Sequence, residues 1–334
     1  MDILKKVLVT GASGFIGSRV ASHLGARGYE VFGMVRGAPI DKPGFRTVRG
    51  DLTDRSSLEA ACRGVDCVIH CAGLVHNPSA GYDRHRAINV EGSVSLMLEA
   101  ARAGAKQFIF MSSIAAYGKG TGLWRESDEC KPHTPYGRAK LEAEETLSAI
   151  AEREGLDLVV LRLSTVYGEG DKGNVRRLIA AVDRFGPVIF GTGKNLKSMT
   201  YVSNIAELCD LLLVREADRR SRLYNVSDPE PYTLENVVMT ISRVLGQDRE
   251  PVYVSKWLAL LGSHVLTSLF SIVSKNPPVT PAQVQTLTED AACDCTKLKK
   301  ELGFEAPILL KEGIGITAAW YKQVSGSARV RAAN

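Results

Sequence analysis

Tyr136 and Lys140 stand four residues apart in Thr134-Pro135-Tyr136-Gly137-Arg138-Ala139-Lys140. Thr134 suits a helix N-cap and Pro135 the first helical position, so the two side chains fall one above the other on a single helix face. A phenol with a pKa of about 10 is a poor base at neutral pH. A fixed ammonium nearby stabilises the phenolate and lowers that pKa, so the tyrosine can give and take a proton. Upstream, Ser112 and Ser113 close a short apolar run, 107–111, that reads as a strand. A serine hydroxyl at that strand end can hold the same substrate oxygen. Together these groups suit hydride transfer to or from a secondary alcohol. YxxxK spacing arises by chance in many helices, and its position after the serines is what gives it weight.

A second constellation lies at the start of the chain, in VLVTGASGFIG at 7–17. Val7, Leu8 and Val9 suit a strand covered on both faces. Gly11, Gly14 and Gly17 follow three apart: one for a tight turn, one for close approach of a ligand, one for packing the next helix on the sheet. The unpaired N–H groups of that helix start, with Ser13, Phe15 and Ile16 around them, favour an anion such as a dinucleotide pyrophosphate. A glycine turn without a ligand is the alternative, and the strand before and helix after weigh against it. Arg36 ends the second strand where an acidic residue would hold a ribose 2′-OH. An arginine there accommodates a 2′-phosphate, which favours NADP over NAD.

The elements that must position these groups alternate. Helix 15–27 stops at Gly28, and strand 30–35 follows. Strand 47–50, helix 55–62, strand 66–71 and one long helix, 82–103, come next, before strand 107–111. This alternation predicts an α/β fold, a doubly wound parallel sheet with right-handed crossovers. Residues 119–133 read as a polar loop. Beyond Gly168 a helix to about Phe185, a strand 188–190, a helix 204–215, a strand 223–226, a helix from Thr233 to Leu245 and a short helix 297–302 are expected. A closing helix over 308–321 and a frayed tail complete the chain.

Composition narrows the function classes. The 334 residues carry a net charge of +5 with Lys and Arg spread along the chain, so no nucleic-acid stripe is indicated. Residues 1–6 run directly into the first strand, so no signal peptide is expected. The seven cysteines are odd in number and scattered, which fits reduced thiols in the cytoplasm and no metal site. From Trp257 to Ser274 there is no Asp, Glu, Lys or Arg. A buried or lid-forming helix pair is the first reading of that stretch, and contact with a membrane or lipid-like substrate the second.

TGASGFIG at 10–17, Asp51-Leu52, HCAG at 70–73, Asn89 in AINVEGS, SSIAAYG at 112–118, YGRAK at 136–140 and LRLSTVYG at 161–168 occur in this order. With these pieces the chain resembles the extended short-chain dehydrogenase/reductases, the nucleotide-sugar epimerase and dehydratase group. The resemblance implies a Rossmann-type fold and catalytic Ser113, Tyr136 and Lys140. Ser113 is preferred to Ser112 because it stands four before Tyr117, as in that family; Ser112 stays a candidate for cofactor or substrate contact. It further implies cofactor contacts at Asp51, Leu52, Cys71, Ala72, Gly73 and Asn89, with Lys140 on the nicotinamide ribose. Asn174 and Lys197 fall where the family meets the nucleotide-sugar phosphates, although the family usually has Arg at the latter. Ser164 replaces the family's proline or asparagine. Ile114-Ala115 replace the Asp-Glu pair of 4,6-dehydratases, which argues against loss of water.

The expectation is a dinucleotide-binding domain over 1–168, a mainly substrate-binding domain over 169–325 and a tail at 326–334. The expected activity is an NAD(P)-dependent epimerase or 4-keto reductase at C4 of a UDP-type sugar, in a homodimer formed through helices 82–103 and 135–154. The segment 277–321 also resembles hydroxysteroid dehydrogenase-like and dihydroflavonol reductase-like relatives, which keeps a hydrophobic alcohol as an alternative. A non-catalytic cofactor-binding regulator is the third.

Overall fold

The computed structural model describes residues 5–40, 42–75, 80–120, 122–215, 222–272 and 279–333. β1 (Lys6–Thr10) is buried from Val7 onward and leads through the glycine turn into α1 (Phe15–Ala26). β2 (Glu30–Val35), β3 (Arg46–Arg49), α2 (Arg55–Cys62) and β4 (Cys67–His70) follow. Asp54 starts α2 by accepting from the N–H groups of Ser56 and Ser57.

The segment expected as one long helix is broken. It consists of α3 (Tyr82–Arg86), a π-turn over Ala87–Glu91 and α4 (Gly92–Arg102). The wider turn carries Asn89 into the interior, where it is 1 % exposed. β5 (Gln107–Ser113) runs two residues further than expected and takes both serines into the sheet. β6 (Leu123–Trp124) lies inside the expected polar loop, where Trp124 stacks on Tyr117 with ring centres 5.3 Å apart. α5 (Pro135–Glu154) begins on Thr134, whose hydroxyl accepts from the Gly137 N–H, and ends on Gly155 at φ 68°. β7 (Asp157–Leu163) is buried throughout, and β8 (Thr165–Tyr167) follows it.

The remainder comprises α6 (Asn174–Phe185), β9 (Val188–Phe190), β10 (Leu196–Lys197), β11 (Met199–Tyr201), α7 (Val202–Val214), β12 (Arg222–Val226), β13 (Tyr232–Thr233) and α8 (Leu234–Val244). Then come β14 (Val252–Val254), α9 (Lys256–Ile272), α10 (Pro281–Thr288), β15 (Ala292–Cys293), α11 (Thr296–Leu302) and α12 (Leu310–Ala333). The strands β6, β7, β8, β10, β11, β13, β14 and β15 were not foreseen. Each gains its identity from a partner remote in sequence, as β6 does from β15.

Seven strands form one parallel sheet in the order β12-β7-β5-β4-β1-β2-β3. Successive side chains of β1 serve opposite faces. Val7 and Val9 pack with α1, α7 and α11, and Leu8 packs with α2, α4 and α5. A third cluster joins Tyr167, Ile179, Ile189, Tyr201, Val238 and Ile314 of the later elements.

Two expectations need correction. The uncharged stretch is not a buried pair: its described residues form the single helix α9, with Trp257, Leu258, Leu261 and Val265 about half exposed or more. Residues 273 and 274 lie outside the described residues. The closing helix does not fray at 326 but continues to Ala333, and Asn334 lies outside the described residues. Among the described residues no helix is long and apolar enough to cross a membrane.

Candidate active site

The glycine turn is built as the spacing requires. Gly11 has φ 66°, a conformation that L side chains rarely adopt, and a Cβ there would lie 3.0 Å from the Ala72 backbone. A Cβ on Gly17 would collide with the Gly11 carbonyl oxygen. The start of α1 has no side-chain cap and no acidic residue in its first turn; Ser13 and Gly14 are exposed and Phe15 and Ile16 half-buried. These features fit a dinucleotide: open N–H donors, a positive helix end, and backbone close enough for a pyrophosphate.

Behind this turn sits a network that sequence reasoning did not assign. Thr10 Oγ1 lies 2.7 Å from His70 Nδ1, His70 Nε2 lies 2.8 Å from Ser93 Oγ, and Ser93 Oγ donates to the Asn89 carbonyl. Ser93 spends its proton on Asn89, so it accepts from His70 Nε2–H. His70 Nδ1 then accepts from Thr10, and Thr10 accepts from the Ala72 N–H at 3.0 Å. Burial pushes His70 down to about 3, with the Lys140 charge adding to it, so the ring stays neutral. The chain of bonds ties β1, the end of β4 and the π-turn together. Its sequence signal was the His of HCAG, which was read only as part of a motif.

Asn89 holds the loop after β4 from the other side. Its Nδ2 donates to the Leu74 carbonyl at 2.9 Å and its Oδ1 accepts from the Leu74 N–H at 2.7 Å. A Cβ on Gly73 would lie 2.8 Å from Asn89 Oδ1 and 3.9 Å from Lys140 Nζ, so Gly73, Asn89 and Lys140 share one place. Cys71 is half-buried and its thiol is pushed up to about 12 by burial, which keeps it protonated. At the other end of the cleft, Asp51 Oδ1 accepts from the Thr53 N–H and hydroxyl. Those bonds, with a smaller contribution from Arg36, hold its carboxyl below the usual range. Leu52 is buried against Gly92. Arg36 and Arg49 line a cavity of about 400 Å³ with Val35, Gly37, Ala38, Pro39 and Thr47.

The residues expected to transfer the proton, Ser113, Tyr136 and Lys140, lie where β5 meets α5. The Ser113 hydroxyl lies near enough to Tyr136 to lower the pKa of its phenol, and the His85 ring stands edge-on to Tyr136 at 6.0 Å. Lys140 Nζ donates to the Met111 carbonyl at 2.6 Å and lies 4.4 Å from the centre of the Phe110 ring. The electrostatics differ from expectation. Burial pushes Tyr136 up to about 12, and the Ser113 hydroxyl offsets this only in part. Burial also pushes Lys140 down to about 8, against the opposing charge of the Glu144 carboxylate.

Two expected substrate residues are committed elsewhere. Ser112 is 3 % exposed and its hydroxyl donates to Glu144. Lys197 Nζ donates to the carbonyls of Thr286 at 2.7 Å and Glu289 at 2.6 Å, so it holds the C-terminal end of α10. Asn174 is exposed at the first position of α6, whose start is also fixed by Asp171 accepting from the N–H groups of Gly173 and Arg176. Away from the cleft, His23, Glu207 and Asp210 bring ligand atoms within 4.8 Å of one another, but Arg27 and Tyr29 already occupy Asp210.

A family model described as the NAD dependent epimerase/dehydratase family matches residues 7–227. The chain belongs to that family. Its members named here as relatives include a UDP-glucose 4-epimerase of Vibrio cholerae, 27% identical and covering 96% of this chain and 97% of the relative. An N-acetyl-alpha-D-glucosaminyl-diphospho-ditrans,octacis-undecaprenol 4-epimerase of Escherichia coli O157:H7 is 28% identical, covering 93% of each chain. A 3 beta-hydroxysteroid dehydrogenase/Delta 5-->4-isomerase of Mycobacterium tuberculosis is 26% identical over 90% of this chain and 86% of its own. Among solved structures, MoeE5 in complex with UDP-glucuronic acid and NAD superposes with a TM-score of 0.76 at 28% identity, covering 96% of this chain and 99% of that one. Family membership and the fold make the protein an NAD(P)-dependent enzyme of the extended short-chain dehydrogenase/reductase type.

Proposed function

We propose that the protein moves hydride at C4 of a UDP-linked hexose, as a 4-epimerase or a 4-keto reductase. The observation that carries this reading is Ser113 at the end of β5 adjoining Tyr136, one helical turn before buried Lys140 on α5. A bound nicotinamide dinucleotide supplies the hydride acceptor and donor. The turn at Gly11, Gly14 and Gly17 would hold its pyrophosphate, Asp51 and Leu52 its adenine end, and Lys140 and Asn89 the nicotinamide side. Tyr136 Oη takes or returns the hydroxyl proton, Ser113 Oγ fixes that oxygen, and the Lys140 ammonium stabilises the phenolate. The cavity with two arginines, Arg36 and Arg49, supports NADP, because a 2′-phosphate suits paired guanidinium groups. Residues 1–168 form the dinucleotide unit and 169–325 mainly the substrate unit in this reading. A homodimer through α3–α4 and α5, in the cytoplasm, completes it. A purely regulatory role is set aside, since the Ser113–Tyr136–Lys140 arrangement has no use in a sensor.

Proton NMR tests the reading. The purified protein is mixed with UDP-glucose, UDP-galactose and their N-acetyl forms without reductant, and with a UDP-4-keto-hexose plus NADPH. Appearance of a C4 epimer without reductant establishes the epimerase, and consumption of the ketone establishes the reductase. No change in either arm rejects the reading.

A second reading, a lipid-borne alcohol, is favoured by α9. Its inward side, Ala259, Ser263, Leu266 and Phe270, is at least partly covered, while Trp257, Leu258, Leu261 and Val265 face outward without any charge. A helix apolar on all sides is normally covered. The four outward side chains offer on the order of 400 Å², about half of what each partner of a stable dimer buries, so a bilayer surface fits better than a second copy. Lys256 and Trp257 at the helix start suit that interface. Helix α9 packs on α10, whose end is held by Lys197, and so adjoins the expected substrate region. Flotation with anionic liposomes checks it: wild type should float and Trp257→Glu/Leu261→Glu should not. Absence of wild-type flotation removes the reading.

A further inference from the structure

Three consecutive residues of β5 meet three residues of α5 spaced one turn apart. Ser113 adjoins Tyr136, the Met111 carbonyl accepts from Lys140, and the Ser112 hydroxyl donates to Glu144. The third contact is the most heavily built. Arg162 stands directly opposite Ser112 on the neighbouring strand β7, so both side chains reach the same face of the sheet. There Arg162 clamps Glu144 from two sides: Nη2 donates to Oε2 at 2.6 Å, and Nε donates to both carboxylate oxygens at 3.1 Å. The side chains of the pair are 5 % and 7 % exposed. The guanidinium is stacked over the Tyr117 ring at 4.5 Å, and Tyr117 is fixed by Asn225 at 2.7 Å.

We propose that Glu144, clamped by Arg162 and Ser112, is a positioning residue that sets the register of α5 on β5 and maintains the positive charge of Lys140. The inference rests on reading Tyr136 and Lys140 as the proton-transfer pair. A buried carboxylate persists only when paired and fully hydrogen-bonded, and Arg162 with Ser112 provides that. One turn away, the same carboxylate opposes the burial that discharges Lys140. The other titratable groups facing Lys140 are Cys71, which acts in the same sense when ionised, and His70, which is neutral, on the β4 side; Tyr136 shares its helix face. The pair thus couples packing to charge: α5 cannot shift along β5 without breaking the clamp that also holds Tyr136 against Ser113.

The test reads Lys140 directly and needs no substrate. Protein labelled with ¹³C at the lysine ε-carbons is titrated by NMR, with the Lys140 signal assigned through Lys140→Arg. Glu144→Gln should lower the Lys140 titration midpoint by at least about half a pH unit, and Glu144→Asp should restore most of it. Glu144→Gln leaves the Arg162 charge buried against a neutral partner, so it risks misfolding. The apolar pair Glu144→Leu/Arg162→Met avoids that buried charge, and its midpoint should also fall. An unchanged midpoint in a folded Glu144→Gln or in the apolar pair overturns the proposal. Turnover of UDP-sugars is scored separately, so failure of the substrate reading leaves this result intact.

Discussion

At the scale of the residue, the site is governed by burial. Burial pushes Tyr136 up to about 12 and Lys140 down to about 8, and in the proposed mechanism the Lys140 ammonium is the cation on which the Tyr136 phenolate depends. Tyr136→Phe should lower turnover by roughly 10²–10⁴-fold with the circular-dichroism spectrum unchanged, because it deletes only the proton carrier. The pH dependence has a definite sign. As pH rises through about 8 the ammonium loses its proton, the phenolate loses its stabiliser, and kcat should decline on the alkaline side. In Lys140→Met that decline should vanish and residual activity should rise with pH, as a stopped assay across pH 6–10 would show. Arg36→Asp should raise the KM for NADPH by roughly 10–100-fold and leave that for NADH within a few-fold, since the lost charge matters only to a 2′-phosphate. The placement of Tyr136 and Lys140 on one helix face was legible because helix periodicity needs nothing distant, while Ser113 was chosen over Ser112 through the family resemblance. The bonds that Ser112 and Lys197 make were not legible, for the opposite reason. Their partners, Glu144 and the end of α10, arrive from 32 to 92 residues away, and no local pattern announces them.

At the scale of the element, glycine geometry decides whether the cofactor end of the cleft forms. Gly17 lies in the first turn of α1, where even one methyl meets the Gly11 carbonyl oxygen. Backbone cannot yield there without moving β1 or α1. Gly17→Ala should therefore abolish or weaken NAD(P)H binding by at least about tenfold in a nucleotide-fluorescence titration, with the sheet intact by circular dichroism. The parallel sheet was legible in β1, β2, β4 and β5, which are short apolar runs in an alternation with helical patterns, whereas its strand β7 was not read from the sequence. The π-turn at Ala87–Glu91 was not, since residue preference does not distinguish it from continuous helix. It forms because Asn89 must reach Leu74 while its carbonyl accepts from Ser93, inside a helix that also packs on the sheet. The two-residue strands beyond β7 were equally silent in sequence, for each is too short to carry an alternation.

At the scale of the whole molecule, one buried carboxyl joins the sheet to the later elements. Asp228 follows β12, the last strand of the sheet, and its N–H donates to the Met199 carbonyl of β11 at 2.7 Å. Its Oδ2 accepts from the Tyr232 hydroxyl at 2.8 Å, and that hydroxyl accepts from the Leu310 N–H at the start of α12. Among the described residues, Asp228 Oδ1 and the Tyr167 hydroxyl are buried without a hydrogen-bond partner. Burial pushes Asp228 up to about 7 from 3.8. The folded state therefore binds more protons than the unfolded chain between roughly pH 4 and 7, and this group's stabilising contribution is present below pH 4 and lost as pH rises to 7. Asp228→Asn keeps the acceptor for Tyr232, adds a donor that can serve Tyr167, and removes the ionisation. It should stabilise the protein by about 1–3 kcal/mol at pH 8 relative to wild type, and by much less at pH 4.5. Urea unfolding of both proteins at the two pH values checks this, and an equal difference at both would place the strain in packing and not in charge. Because Asp228 directly follows the sheet strand β12 and bonds β11 and β13, the same variant should also narrow the gap in protease sensitivity between pH 5 and pH 8.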